Sequence, residues 1–131
     1  MSTKVFTSEA NDDPHLKDLA LSFLNKPEFV IKENVVIEGV SGMEYNVDFV
    51  VIDPKSNQED PKTSKMFVKV LDFKKPAGTD VIGKFEKACK DCKAMGLIIS
   101  NNFSVQAVSL ASRAESVMLM SKNELMNVLQ P

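Results

Sequence analysis

The feature that most constrains this chain is the way its hydrophobic period changes along the second half. From Met66 to Phe73 apolar residues run almost without a break, as in a central strand buried on both faces. From about 80 to 95 they recur as Val81, Ile82, Phe85, Ala88, Cys89, Cys92 and Met95, a single helical stripe that Gly96 is expected to stop. Leu97 to Ser100 is a short apolar run. Asn101, Asn102 or Ser104 can cap the helix after it, which turns Val105, Val108, Ala111 and Ala114 inward. Val117 to Met120 reads as a strand, and Ser121 with Glu124 forms a capping box that opens a last helix through Leu129. Strands and helices alternating in this way require right-handed crossovers between parallel strands.

The first half has a different rhythm. Asp12 or Asp13 before Pro14 is a helix start, and Leu16, Leu19, Ala20, Phe23 and Leu24 keep helical spacing up to Asn25-Lys26-Pro27. Phe29 to Ile37 reads as a strand, and residues 39–42 as a turn. Tyr45, Val47, Phe49 and Val51 then alternate with Asn46, Asp48 and Val50, predicting a strand with one apolar face and Asp48 on the other. A polar loop beginning at Asp53 and running to about Ser64 links it to the Met66 strand, so the early strands form an antiparallel meander. The whole is an α/β domain with a mixed central sheet covered by helices, spanning residues 13–131 behind a loose tail at 1–12.

Several function classes drop out. At 131 residues there is room for one core. No apolar run approaches the roughly 20 residues that span a bilayer, and the polar, acidic start is not a signal peptide, so a cytoplasmic protein is expected. Cys89 and Cys92 make a CxxC, but two thiols and a distant His15 are too few for structural zinc. A redox CxxC usually opens a helix, whereas this one lies within a helix on its apolar stripe. There is no GxxxxGK[ST] and no credible Ser-His-Asp set.

Charge is unevenly spread. Residues 1–60 carry 5 Lys against 12 Asp/Glu, and residues 61–93 carry 9 Lys against 4 Asp/Glu. A basic middle segment on an acidic protein either is a solvated helix face or meets a phosphate backbone, with Lys75, Lys84 and Lys87 the candidate contacts.

The chemistry-bearing residues are Asp48, Asp72 and Lys74. Asp48 lies mid-strand among hydrophobics, where Asp is disfavoured. Asp72 ends an apolar strand, where an idle carboxylate is costly, and Lys74, two residues on, shares its face. Two carboxylates and an ammonium at the ends of paired strands suit a hard divalent cation and a phosphodiester.

Gly39-x-Ser41-Gly42-x-Glu44-Tyr45-x-x-Asp48 resembles the first motif of Mrr-type restriction endonuclease domains, within the PD-(D/E)xK nucleases. Val70-Leu71-Asp72-Phe73-Lys74 resembles the hydrophobic-x-(D/E)-x-K strand of that family. Gly96 to Ser100 with Phe103, Ser104, Ala107 and Ala111, then Met118 to Met120 with Leu125 and Leu129, are similar to its distal strands and helices. The resemblance implies a restriction-endonuclease-like three-layer αβα core. It also implies a Mg²⁺- or Mn²⁺-dependent DNA endonuclease acting in restriction, repair or recombination. Asp48 and Asp72 would be metal ligands with the Phe73 carbonyl a third, Lys74 would position the attacking water, Ser41 would approach DNA, and Gly42 would permit the turn. The family often adds an acid from its first helix; here Glu44, Asp13 or Asp18 are the candidates. The gap from Asp48 to Asp72 is long for the family, and the polar loop around Asn57 absorbs the excess. A homodimer and a targeting partner protein are compatible with such a compact core. The alternative is a nuclease-fold DNA-binding or regulatory module with an incomplete site.

Overall fold

In the computed structural model of the chain, residues 15–54 and 65–130 are described. The expected tail at 1–12, Asp13 and the polar loop around Asn57 lie outside the described residues. The elements follow the expected order: α1 (Leu16–Leu24), β1 (Val30–Glu38), β2 (Glu44–Ile52), β3 (Lys65–Leu71), α2 (Thr79–Asp91), β4 (Met95–Ser100), α3 (Val105–Arg113), β5 (Val117–Ser121) and α4 (Lys122–Leu129). The strands form one mixed sheet in the order β1-β2-β3-β4-β5. The first two pairings are antiparallel, and the last two, bridged by α2 and α3, are parallel.

Helices cover both faces, giving the three-layer αβα arrangement. On one face Ile82, Phe85 and Cys89 of α2 and Ala107 and Ala111 of α3 pack on Val47, Val50, Phe67, Leu71 and Ile98. On the other, Leu16, Ala20 and Leu24 of α1 and Leu125 of α4 pack on Phe49, Val51, Val68, Leu97 and Ile99. β3 and β4 feed both clusters, which is why their sequences are nearly continuous runs of hydrophobics.

Local chemistry accounts for several element ends. Ser104 caps α3 by accepting the Ala107 N–H at 3.0 Å. Ser121 and Glu124 form the reciprocal capping box of α4, at 3.2 and 2.9 Å. Gly42, at φ 92°, makes the β1–β2 turn in a region that only glycine enters freely.

Four expectations need correction. α2 ends at Asp91 rather than at Gly96; Lys93 takes the left-handed conformation (φ 54°), and Gly96 lies within β4, where a Cβ would strike Cys89 and Phe85. On α3, Val105 and Val108 are 81% and 52% exposed, because the inward arc is centred on Ala107 and Ala111. β3 stops at Leu71, so Asp72, Phe73 and Lys74 lie just past its end. The fourth concerns β2. Val47 faces the α2 side, whereas Phe49 and Val51 face the α1 side. Strict alternation therefore fails at Asp48.

Candidate active site

The break at Asp48 has a partner on β1. Pairing runs Glu33↔Phe49 and Val35↔Val47, but skips Asn34 and Asp48. Asn34 is left-handed, with φ 53°. Across it Ile31 packs with the α1-side cluster, while Val35 and Ile37 pack with the α2-side cluster. Both strands thus exchange faces at one point, and the ladder opens there.

Asp48, at this opening, turns its carboxylate to the other neighbour of β2. Its Oδ2 accepts the Val70 N–H of β3 at 2.7 Å. That carboxylate oxygen satisfies a half-buried backbone donor which would otherwise be costly to leave unpaired. Lys17 of α1 lies 3.6 Å from Asp48 Oδ1, donates to Asn34 Oδ1 at 2.9 Å, and stands 5.7 Å from the Phe49 ring centroid. A cleft of about 240 Å³ beside it is lined by Asn34, Val35, Asn46, Val47, Asp48 and Lys69. The β2–β3 ladder ends at Phe49↔Val68, with Asp48 and Lys69 the next residues past its last pair.

Two residues beyond Val70, the Asp72 segment is held by a different element. The side-chain amide of Asn101, just past β4, donates from Nδ2 to Asp72 Oδ1 at 2.8 Å and to the Phe73 carbonyl at 2.9 Å. These two oxygens therefore converge on one point. Asp72, Phe73, Lys74 and Lys75 are otherwise exposed. Among the described residues no three His, Cys, Asp or Glu side chains gather into a metal-binding group. A cation here would instead draw on a carboxylate, a backbone carbonyl and water, a donor set that suits Mg²⁺ or Mn²⁺. Asp72 Oδ1 and the Phe73 carbonyl are oxygens of the kind such an ion takes.

The other expected site residues fall elsewhere. Glu44 is exposed opposite Glu38 at the start of β2, about 13 Å of strand from Asp48. Asp18 is exposed on α1; the first-helix residue that reaches Asp48 is the neighbouring Lys17, a cation. Ser41 directs both of its donors to Asp91, through N–H at 2.9 Å and Oγ at 2.5 Å, and Tyr45 OH joins them at 2.7 Å. These hydrogen bonds, first from Ser41 and then from Tyr45, hold the Asp91 carboxyl below its ordinary range, and the same bond to Asp91 raises the Tyr45 phenol. Gly39 allows this closeness, since a Cβ there would collide with the Asp91 carboxylate. Ser41 is thus a clasp between the β1–β2 turn and the end of α2.

Lys84 and Lys87 are exposed on α2. Lys84 shares a cleft with Tyr45, Lys69 and Leu71, the residue before Asp72, while Lys87 lies by Ser41 and Asp91. Both cysteines are free; burial pushes the Cys89 thiol up to about 12 and raises that of Cys92, which opposes the thiolate a redox pair needs.

Sequence reasoning missed Lys17, Asn34, Lys69 and Asn101 as members of the site. Asn101 stood out only as a helix-cap candidate. Lys69 carried a signal, as a lysine within an otherwise apolar strand.

A family model described as restriction endonuclease, the Mrr catalytic domain, matches residues 9–129. The chain belongs to the restriction endonuclease family. Nuclease hydrolysis is the general activity of this restriction endonuclease family, and the D-x-K segment at the end of β3 is where its sequence resemblance placed the chemistry. A solved crystal structure described as a protein of unknown function, AF1548, is similar in fold, with a TM-score of 0.64 at 16% identity. The match covers 86% of this chain and 64% of that one, so the chain spans less than two thirds of its length. No curated protein matches the sequence. Among the described residues no helix is long and apolar enough to cross a membrane.

Proposed function

We propose that this restriction endonuclease domain is a Mg²⁺- or Mn²⁺-dependent DNA endonuclease acting in restriction, repair or recombination. The observation that carries the reading is the convergence of Asp72 Oδ1 and the Phe73 carbonyl on one point, where a single nitrogen bonds both. Asp48 of β2 supports it, with its carboxylate fixed by the N–H of Val70, two residues before Asp72.

Asp72 and Phe73 would hold the ion, with Asp48 completing the acidic side. When bound, the ion would lower the pKa of a water and offset charge on the phosphodiester. The rest falls to the chain's own side chains. Lys74 leaves the strand end exposed, free to orient the attacking water or to meet the charge that builds on the phosphoryl oxygens. Hydrolysis forms a bond from the water oxygen to phosphorus and breaks one phosphorus–ester bond. Lys75 and Lys84 flank the same strand end, where they can hold the DNA backbone, and Lys87 extends the basic line along α2. A second copy of the chain or a targeting partner would be needed for paired cuts or for sequence choice.

One observation favours the alternative of a DNA-binding or regulatory module with an incomplete site. The first helix brings Lys17 to Asp48 where the family often brings an acid. The two readings separate in one experiment. Mg²⁺ and Mn²⁺ are titrated calorimetrically into the wild type and Asp72→Ala, and both proteins are then incubated with branched, nicked and plain duplex DNA. Metal binding and cleavage lost together in Asp72→Ala establish the nuclease. DNA binding with no metal binding by the wild type establishes the module.

A further inference from the structure

The Asn101 amide is built into its place. Ser100, fully buried, donates from Oγ to the Asn102 carbonyl at 2.8 Å, and the Ala77 N–H donates to the same oxygen at 3.0 Å. Ser104 N–H returns to the Ala77 carbonyl at 2.9 Å, and Ala77 bridges Phe103. The loop after β4 is thereby stitched to the loop after β3 just past Asn101, and the ladder pair Leu71↔Ser100 joins the two strand ends just before it. Its side chain faces Asp72 and Phe73 because the backbone leaves it there.

The distances matter. In an octahedral shell whose centre lies ~2.1 Å from each oxygen, neighbouring oxygens are about 3.0 Å apart. Asn101 Nδ2 stands 2.8 and 2.9 Å from Asp72 Oδ1 and Phe73 O, so its spacing from each matches that between neighbouring ligand atoms. The two ends of an amide are nearly the same shape, and a half-turn about its terminal torsion replaces the nitrogen with Oδ1. One orientation donates to two oxygens; the other adds a third oxygen to them, of a kind that hard cations accept.

We propose that Asn101 is a ligand of the active-site cation, supplying Oδ1 beside Asp72 Oδ1 and the Phe73 carbonyl and turning its amide over between the ion-free and ion-bound states. This rests on the metal-dependent reading above. It gives the site a protein ligand beyond Asp48, Asp72 and the Phe73 carbonyl, the place that the sequence sought to fill with Glu44, Asp13 or Asp18.

The test is Mn²⁺ binding, followed by electron paramagnetic resonance of the free ion, to the wild type, Asn101→Ala, Asn101→Asp and Asp72→Ala. Thermal unfolding of the same set is measured with and without Mn²⁺. As a ligand, Asn101→Ala weakens Mn²⁺ binding roughly 10-fold, and Asn101→Asp, which puts a charged oxygen in its place, tightens it by roughly 10-fold or more. Asn101→Asp also melts below the wild type without Mn²⁺, because two carboxylates then face each other, and regains that loss with Mn²⁺. An amide that only clamps the loop gives the opposite for Asn101→Asp: weaker binding and lower melting in both conditions. That result, or Asn101→Ala binding as tightly as the wild type, overturns the assignment while Asp72→Ala still abolishes binding. If the wild type shows no binding that Asp72→Ala removes, the metal-dependent reading falls and the ligand assignment falls with it.

Discussion

Asp48 carries two roles that one pair of variants can separate. It would serve the reaction, and it also bonds β2 to β3 beside the point where β1 and β2 exchange faces. Asp48→Ala removes the acceptor of the Val70 N–H at 2.7 Å and leaves that donor orphaned within the sheet. A hydrogen bond to a charged group is worth about 1.5–3 kcal/mol. The ion pair adds little, roughly 0–1 kcal/mol, because it spans 3.6 Å and the Lys17 side chain is 42% exposed. The expected loss is therefore about 2–3 kcal/mol, or a fall in Tm of roughly 10 °C at this chain length. Asp48→Asn keeps an oxygen for Val70 and loses only the charge, so it costs about 1 kcal/mol. Urea denaturation at neutral pH measures both, with an unchanged m-value as the sign that the native sheet is retained. Both variants abolish metal-dependent cleavage, but only Asp48→Ala should be markedly unstable. Equal stability of the two variants, or an Asp48→Ala within about 0.5 kcal/mol of the wild type, would refute the claim that the carboxylate mends the sheet.

Lys74→Ala, at an exposed position past the strand end, leaves stability within about 0.5 kcal/mol of the wild type, yet lowers the single-turnover cleavage rate by roughly 10²-fold or more. Loss of folding stability in step with activity would argue against a role for its ammonium in the chemistry. The double variant Lys84→Ala/Lys87→Ala binds DNA more weakly and flattens the dependence of log K on log salt by about 2, since each phosphate contact contributes roughly 0.9 to that slope; an unaltered slope places both lysines on a merely solvated face. Burial raises the Cys89 thiol to about 12, so its contribution to stability is complete below the unfolded thiol pKa near 8.5 and is lost as pH rises toward 12. Cys89→Ala should accordingly show a shallower alkaline decline in urea midpoint than the wild type, and parallel declines would contradict this.

The primary structure alone determined the order of the elements, the capping residues and most of the two cores. Each of these depends on neighbours a few residues apart: the stripe from Ile82 to Cys89, the reciprocal bonds of Ser121 and Glu124, the continuous hydrophobicity of β3. The D-x-K just past that strand is an equally local pattern, and the role proposed for it comes from the family resemblance. Tertiary structure decided what surrounds it. Local periodicity misjudged Val105 and Val108 because the facing sheet, not the helix, sets which arc is covered. It gave Val47 and Phe49 one face because nothing within β2 announces the reversal, which needs the left-handed Asn34 across the ladder. Lys17 reaches Asn34 and Asp48, Asp91 draws in Ser41 and Tyr45, and Asn101 meets Asp72 and Phe73, all across wide separations along the chain. Such meetings are fixed by how layers stack and where strands end, so the side chains that complete the site come from elements whose own patterns speak only of helix and strand.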